Sequence, residues 1–278
     1  MYKNKKISVC LPCKNEAKHL KNVVEMIPKY VDEIIVVSNN STDNTIEIAK
    51  NLGLKIFEDD RSINGIGSGF AYQTAIKYAT GDYIFCADAD GTYPFEKIEQ
   101  ILEKMMSEKL DFVYGSRYPV DKNTKIPNML KLGVWVLNIE IWLFYGVWLY
   151  DSLSGMFAFD AKKIEQLEIL TKKFPGDWNH SPFLKIKAFT NPNIKASNFH
   201  ISQNQRMGST KQKYFKTGFG HLFWIFLYRF GITRSYKMDT ILTAINLHQD
   251  INTLQIENTK PSFNIPQKQF VNQQINSE

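Results

Sequence analysis

Short apolar segments alternate with longer segments of helical character through the first 116 residues, and this alternation limits the fold more than any other feature. Strands are predicted at about 7–11, 32–37, 54–57, 83–87 and 111–114. Helices are predicted between them, the last over about 95–109. With 278 residues, 44% of them hydrophobic, the chain is long enough to bury a large core. The order of elements predicts an α/β fold with a mostly parallel sheet and helices on both faces.

Residues with special backbone preferences mark the ends of these segments. Pro12 is expected to end the first strand, and Asn15 to cap a helix that runs to about residue 27. The segment 41–43, with the sequence Ser-Thr-Asp, offers caps to the second helix, and the glycine-rich segment 64–69 opens the third. Ligands of such sheets bind beyond the carboxyl ends of the strands. Polar residues that should meet there are Asn15, Glu16, Asn39, Asp43, Asp88 and Asp90.

Two carboxylates follow the fourth predicted strand in the segment Asp88-Ala89-Asp90. Mg²⁺ and Mn²⁺ prefer oxygen ligands and are often held by one or two carboxylates together with phosphate oxygens. A cation there would hold a diphosphate and neutralise its charge as it leaves. A solvated turn is the alternative, because Asp and Gly are common turn residues.

Several segments together resemble family 2 glycosyltransferases, which have the Rossmann-like GT-A fold, and among them the polyprenyl-phosphate mannosyl- and glucosyltransferases. No single segment is distinctive, but they occur in the same order over about residues 7–230. They are LPCKNEAKHL at 11–20, IIVVSNNSTDNTIEIA at 34–49, NGIGSGFAYQTAIKYATGDYIFCADADGTYP at 64–94, DFVYGSRY at 111–118, DSLSGMFAF at 151–159, QRMGSTK at 205–211 and GFGHLFWI at 218–225.

This resemblance implies transfer of a hexose from a UDP- or GDP-sugar to a polyprenyl phosphate by an inverting, Mg²⁺- or Mn²⁺-dependent enzyme. It implies metal binding by Asp88 and Asp90, with catalytic roles for Asp90, Arg117 at the acceptor phosphate, Arg206 at the diphosphate and Asp177 as a base. The implied nucleotide-sugar site comprises Pro12, Asn15, Glu16, Ser38, Asn39, Asp43, Gly65, Gly67, Ser68, Asp88, Ala89 and Lys211.

The chain also departs from the family pattern at three positions. Ser38 and Ser181 replace acidic residues, and Phe157 replaces an arginine. An acid near Ser181 serves as base in many enzymes that glycosylate hydroxyl groups, whereas a phosphate acceptor is already ionised at neutral pH. The sequence therefore fits a phosphate acceptor. Two alternatives stay open, namely a glycosyltransferase acting on a surface or capsule glycan, and an inactive homologue that binds nucleotide sugars.

The pattern of alternation stops after residue 120. The segment 132–149 is almost entirely apolar, but Glu140 near its centre makes a membrane span costly, so a buried or interfacial helix is expected. A second aromatic segment covers 222–232. These features predict a GT-A domain over 1–232, with a nucleotide-sugar half at 1–120 and an acceptor half at 121–232. The Asn- and Gln-rich segment 233–278 is predicted to be a flexible, partly disordered tail.

Charge and cysteine content narrow the partners and the location. The net charge is +6, and Lys and Arg are spread without a dense basic tract, so phosphorylated small molecules and an anionic membrane surface fit as well as nucleic acid. With the family resemblance, no nucleic-acid partner is expected. Cys10 and Cys13 form a C-x-x-C motif that offers a redox alternative, although Cys10 lies in an apolar strand where cysteine is usually a buried hydrophobe. No signal peptide is apparent, and we expect a cytoplasmic protein in peripheral contact with the cytosolic membrane face.

Overall fold

The computed structural model of the protein describes residues 1–122, 124, 126–204 and 214–232. Within these residues, seven strands form one sheet, and seven α-helices pack around it. The strands are β1 (Ile7–Cys13), β2 (Glu33–Ser38), β3 (Lys55–Glu58), β4 (Tyr83–Cys86), β5 (Phe112–Ser116), β6 (Phe157–Asp160) and β7 (Ala196–His200). The helices are α1 (Leu20–Met26), α2 (Thr45–Asn51), α3 (Ser68–Lys77), α4 (Ile98–Glu108), α5 (Asn128–Tyr145), α6 (His180–Thr190) and α7 (Tyr214–Arg229).

The sheet has the order β3-β2-β1-β4-β6-β5-β7 and is mostly parallel, which confirms the predicted fold class. β6 is the exception, since it lies antiparallel between β4 and β5. Sequence reasoning missed β6 because it is not joined to its neighbours by the regular strand–helix alternation. Since β6 runs against both neighbours, β4 and β5 point the same way. Their carboxyl ends therefore lie on the same side of the sheet as those of β1 and β2, here named the carboxyl edge.

Alternating strand side chains build a separate hydrophobic layer on each face of the sheet. Cys10, Ile35 and Ile84 point into a layer that includes α3, α5, α6 and α7. Val9, which precedes Cys10, and Phe85, which follows Ile84, point into the other layer with α1 and α4. Burial on both faces explains why the central strands read as continuous apolar runs rather than as alternating ones.

Two local expectations are wrong. Pro12 does not end β1, which continues to Cys13. β4 has already ended opposite Cys10, so only β2 still borders the chain at Pro12. Asn15 does not cap the following helix, because α1 begins at Leu20. Asn15 instead adopts a left-handed backbone with φ 55°, and its side chain binds the neighbouring loop.

The predicted apolar segments 132–149 and 222–232 correspond to α5 and α7, which pack against each other. α5 begins directly after Pro127, and Gly146 follows its last residue with a φ of 72°, which suits glycine. Among the described residues, no helix is both long enough and apolar enough to cross a membrane. The predicted tail at 233–278 lies outside the described residues.

Candidate active site

The loops that follow β1 and β2 are tied together by hydrogen bonds at the carboxyl edge. The side-chain oxygen of Asn15 accepts from the backbone N–H of Thr42 at 2.7 Å, and the Asn15 N–H donates to Ser41 Oγ at 3.1 Å. Asp43 Oδ2 accepts from the N–H of Ala17 at 3.1 Å. The N–H of the predicted site residue Glu16 likewise donates to the α2 hydroxyl Thr45 Oγ1. The predicted residues Asn15, Glu16 and Asp43 therefore lie in one hydrogen-bonded assembly.

The glycine-rich segment packs directly on the end of β2. Ser38 is the buried last residue of β2, and the buried side chain of Asn39 donates to the carbonyl of Asp59 at 2.6 Å and to that of Arg61 at 3.0 Å. A Cβ on Gly67 would lie 2.4 Å from the Asn39 amide and 2.3 Å from the Arg61 carbonyl oxygen. Only glycine fits there, because both contacts are far inside the van der Waals limit.

The glycine-rich segment also reaches the loop after β1 and opens α3. Lys14 Nζ donates to the carbonyl of Gly65 at 3.0 Å. Ser68 is the first residue of α3, and its Oγ is buried without a hydrogen-bond partner among the described residues. The predicted residues Gly65, Gly67 and Ser68 are thus placed next to the two tied loops, with a polar atom left unpaired in the protein.

The two carboxylates that follow β4 are held by different donors. Tyr72 OH, from α3, donates to Asp88 Oδ1 at 3.0 Å. Asp90 is largely buried, and its Oδ1 accepts from the N–H of Thr92 at 3.1 Å and from its hydroxyl at 2.6 Å. Ala89 between them is buried. Asp90 is therefore buried and hydrogen-bonded, in contrast to the freely solvated turn considered from sequence.

Arg117 follows β5 and lies in a buried bidentate ion pair with Asp151. Its Nε is 2.6 Å from Asp151 Oδ2, its Nη2 is 2.8 Å from Oδ1, and its backbone N–H also donates to Oδ2. Burial raises the pKa of Asp151, but the guanidinium outweighs it, so that the pKa lies below its usual range. The Arg117 Nε and Nη2 groups therefore bind a carboxylate in this structure. The family resemblance assigned Arg117 to the acceptor phosphate, and that role stays a prediction.

Asp177 lies beside the start of α3. A Cβ on Gly69 would lie only 3.0 Å from the Asp177 carbonyl oxygen. The Asp177 carboxylate accepts from Asn179 Nδ2 at 3.0 Å, and Asn179 Oδ1 lies 2.7 Å from His221 Nδ1 of α7. Burial raises the pKa of Asp177, which makes its carboxyl more basic than a solvated one.

The model of glycosyl transferase family 2 matches residues 8–167 of the sequence. This chain belongs to glycosyltransferase family 2. The match contains β1 to β6 with Asp88, Asp90, Arg117 and Asp151. Membership confirms the family resemblance.

Two archaeal proteins are similar in sequence to this chain. A low-salt glycan biosynthesis hexosyltransferase of Haloferax volcanii is 31% identical over 58% of this chain and 40% of its own length. A UDP-N-acetylglucosamine–dolichyl-phosphate N-acetylglucosaminyltransferase of Methanococcus voltae is 30% identical over 59% of this chain and 73% of its own length. The alignment thus spans less than half of the Haloferax protein.

A solved structure shares the fold of this family 2 chain. Glucosyl-3-phosphoglycerate synthase of Mycobacterium tuberculosis, crystallised with Mn²⁺, uridine diphosphate and phosphoglyceric acid, superposes with a TM-score of 0.62. It is 20% identical, with coverage of 84% of this chain and 81% of the synthase chain. The similarity supports the GT-A fold.

The candidate site of this family 2 chain offers only part of the ligands that a divalent cation needs. No group of three or more His, Cys, Asp or Glu side chains among the described residues is arranged to hold a metal ion. Asp88 and Asp90 supply two carboxylates, and Mg²⁺ typically takes one or two carboxylates with phosphate and water oxygens as further ligands. The pair therefore suits a cation that arrives with a diphosphate. Arg206 and Lys211, the predicted diphosphate contacts, lie outside the described residues.

Three residues that sequence reasoning missed link the two ends of the site. Tyr72 binds Asp88, Asp151 binds Arg117, and Tyr93 OH accepts from the N–H of Gly155 at 2.6 Å. Tyr93 interacts electrostatically with Asp88, Asp90 and Arg117, and after burial Asp88 is the largest cause of its raised pKa. Tyr93 and Asp151 lie inside segments that carried the family resemblance, which was a usable signal. Tyr72 reads as an ordinary core residue of a helix.

Proposed function

We propose that this protein is an inverting hexosyltransferase that moves a sugar from a UDP- or GDP-sugar to a polyprenyl phosphate and depends on Mg²⁺ or Mn²⁺. The observation that carries the proposal is the pair Asp88 and Asp90 at the end of β4, fixed beside the glycine-rich start of α3 through Tyr72. Paired carboxylates next to exposed backbone of a glycine-rich segment suit a sugar linked to a diphosphate.

The tied loops after β1 and β2 form the proposed nucleoside site. Amide and carboxylate side chains there suit ribose hydroxyls and the N–H groups of a base. We assign to this site Pro12, Asn15, Glu16, Ser38, Asn39 and Asp43. Gly65, Gly67, Ser68 and Ala89 bring backbone groups near the diphosphate, and the buried, unpaired Ser68 Oγ supports a polar ligand atom at this point.

The leaving group is the nucleoside diphosphate, and its growing negative charge has to be neutralised. We assign Asp88 and Asp90 as the protein ligands of the divalent cation, which supplies positive charge at the diphosphate when bound. Arg206 and Lys211 are assigned to contacts with the same phosphates. An arginine suits this role because its planar guanidinium binds phosphate oxygens in pairs.

The acceptor phosphate oxygen is proposed to attack the anomeric carbon on the face opposite the diphosphate. A new carbon–oxygen bond forms as the bond to the diphosphate breaks, and its electron pair leaves with the diphosphate, which inverts the anomeric configuration. An ionised phosphate needs no strong base, so Asp177 is a base only for a hydroxyl acceptor. Arg117 is assigned to the acceptor phosphate, for which it has to share its guanidinium with Asp151.

A lipid acceptor requires contact with a membrane, and α5 and α7 offer an apolar surface for it. Six large apolar side chains of α5, three phenylalanines of α7 and Phe230 directly after α7 are exposed, and Phe144 of α5 packs against Phe226 and Phe230. We name this set the α5–α7 apolar surface: Met129, Leu132, Trp135, Val136, Trp142, Leu143, Phe219, Phe223, Phe226 and Phe230.

Exposed apolar patches of this kind mark interaction sites, and aromatic side chains favour the headgroup level of a bilayer. The net charge of +6 adds attraction to anionic lipids. We therefore propose peripheral attachment at the cytosolic membrane face. The dolichyl-phosphate acceptor named for the Methanococcus relative supports a lipid phosphate.

A transfer assay tests the proposal directly. The full chain is incubated with UDP- and GDP-hexoses, Mn²⁺ or Mg²⁺, and a short polyprenyl phosphate in mixed micelles, and products are identified by mass spectrometry. We expect a polyprenyl-phosphate hexose that disappears with EDTA. Transfer only to glycan acceptors would assign the surface-glycan alternative, and binding of nucleotide sugar without any transfer would identify an inactive homologue.

A further inference from the structure

Lys185 of α6 is a buried lysine without an assigned role in the proposed reaction. Its side chain is almost fully enclosed, with 1% of its surface exposed. The ammonium donates to the carbonyls of Ser152 at 3.0 Å and Ser154 at 2.7 Å, and to Ser181 Oγ at 2.8 Å. An ammonium has three N–H donors, so every donor of Lys185 has a partner.

The segment that Lys185 binds, residues 151–155, touches both charged parts of the candidate site. At one end, Asp151 holds Arg117 in the bidentate ion pair. At the other end, the N–H of Gly155 donates to Tyr93 OH, and a Cβ on Gly155 would lie 3.0 Å from Asp88 Oδ2. The two carbonyls that accept from Lys185 lie between these ends. A shift of the segment therefore moves its contacts with Asp88 and Arg117 together.

The charges around Lys185 come from several elements. Asp151 attracts its ammonium and Arg117 repels it, while the neutral rings of His180 and His221 are close enough to feel its charge. The ammonium also lies 5.1 Å from the centre of the Tyr114 ring. Burying a lysine is costly, and an apolar side chain would fill the same volume without that cost. What an apolar side chain lacks is the ability to fix carbonyl groups in place.

We propose that Lys185 is a positioning residue, which holds the segment 151–155 so that Asp88 and Arg117 keep the spacing needed for the donor diphosphate and the acceptor phosphate. This inference rests on the proposed function for its chemical meaning. Its structural half, the fixing of one backbone segment, is independent of substrate identity. The two halves are tested by different readouts.

Lys185→Met is the main test variant, because methionine keeps the length of the side chain and removes all three donors. Lys187→Met is the matched control, since Lys187 lies on the same helix and its ammonium pairs with Glu168 rather than with the segment 151–155. In hydrogen exchange of the substrate-free protein, we expect Lys185→Met to speed exchange at 115–118 and 151–156 and to leave β2 unchanged. Thermal melting in the presence of saturating UDP then serves as the readout of a Mn²⁺ titration. The Mn²⁺ concentration that half-saturates Lys185→Met should be about tenfold higher than for wild type, as for other residues that orient metal ligands. Lys187→Met should stay within about twofold.

The outcomes separate the two claims. Unchanged exchange together with an unchanged Mn²⁺ requirement in a folded Lys185→Met overturns the positioning role. Wild-type protein that binds neither Mn²⁺ nor UDP overturns the proposed function, whereas local exchange in the variant still reports on the segment. If Lys185→Met does not fold, Lys185→Gln is measured instead, because its polar side chain is one bond shorter and cannot reach both carbonyls. Wild-type exchange at 151–156 together with an unchanged Mn²⁺ requirement in that variant then overturns the positioning role.

Discussion

The two halves of the chain differ in how far their side chains are hydrogen-bonded or packed within the protein. On the proposed donor side, the loops after β1 and β2 bind each other, and the glycine-rich segment packs closely on Asn39. On the proposed acceptor side, α5 and α7 pack together but leave Phe219 70% exposed and Leu143 66% exposed. The first side thus presents polar loops that are already tied together, whereas the second presents an exposed apolar surface.

The two sides should therefore bind their ligands through different contributions to the binding free energy. A rigid polar site recognises a soluble nucleotide through fixed hydrogen bonds, with little ordering cost. An exposed apolar surface gains free energy by burial, at about 25 cal/mol per Å² of apolar area removed from water. Variants on the donor side should thus change turnover, and variants on the α5–α7 apolar surface should change membrane binding.

The largest effect is expected from Asp90→Asn, because it removes a metal ligand of the proposed donor site while keeping the side-chain shape. Transfer should fall at least about 100-fold, as expected when charge stabilisation of a leaving group is lost. Steady-state assays of product formation measure it. Glu96→Gln, an exposed carboxylate in the turn after the Asp pair, is the control and should retain wild-type rates. Equal rates for Asp90→Asn and wild type would contradict the assignment.

The next effect concerns the α5–α7 apolar surface. Phe223→Glu places a charge in its centre and removes an exposed phenylalanine, so partitioning onto anionic liposomes should weaken about tenfold or more. Flotation of protein with liposomes gives the bound fraction. Leu170→Glu changes an exposed leucine outside α5 and α7 and should float as wild type does. If both variants float equally well, the surface has another partner.

A third effect is acid lability from two buried histidines. Burial lowers the pKa of His180 and of His221 to about 4, against 6.5 in the unfolded chain. Below pH 6.5 the unfolded state binds protons that the folded state excludes, so stability should fall as the pH drops from 6.5 towards 4, by up to about 3 kcal/mol for each residue. Urea unfolding at several pH values measures this loss. His221→Gln should flatten the profile over that window, and an unchanged slope would contradict the burial of a neutral ring.

The smallest effect comes from Gly155→Ala. The added Cβ would lie 3.0 Å from Asp88 Oδ2 and 3.1 Å from Tyr93 OH, so the Asp88 side chain has to shift by a few tenths of an ångström. We expect a rise of a few-fold in the half-saturating Mn²⁺ concentration, consistent with a mild disturbance of a ligand-orienting contact. Gly133→Ala, within α5 and with nothing near the new Cβ, is the control. A Mn²⁺ requirement that is the same in both variants would place Gly155 away from the cation.

The strands and the strand-end polar residues of 1–120 were predicted well from the sequence. Strand–helix alternation and polar residues at strand ends are local signals, which a single sequence carries. Asp88 and Asp90 were found from two positions alone, and their placement after β4 is confirmed. The insertion of β6 was missed because its pairing joins residues 43 to 77 positions apart in the sequence. Asn15 was misassigned as a cap because the same side chain can bind a helix end or a neighbouring loop.

The partners of Arg117 and Lys185 depend on tertiary structure and had no local signal. Asp151 lies 34 residues from Arg117, and Ser152 lies 33 residues from Lys185. Sequence reasoning placed Arg117 after β5 correctly but could not show that a buried carboxylate occupies its guanidinium. Neither residue type nor spacing distinguishes a buried lysine from a solvated one on an amphipathic helix.

The central claim is that Asp88 and Asp90 hold the donor diphosphate through a divalent cation. The most direct measurement is the melting temperature of wild type and of the double variant Asp88→Asn/Asp90→Asn with UDP alone, Mn²⁺ alone and both together, because a ligand that binds the folded state raises it. We predict that UDP and Mn²⁺ together stabilise the wild type more than the sum of their separate effects, and that the double variant loses this excess. An equal excess in the double variant would contradict the account.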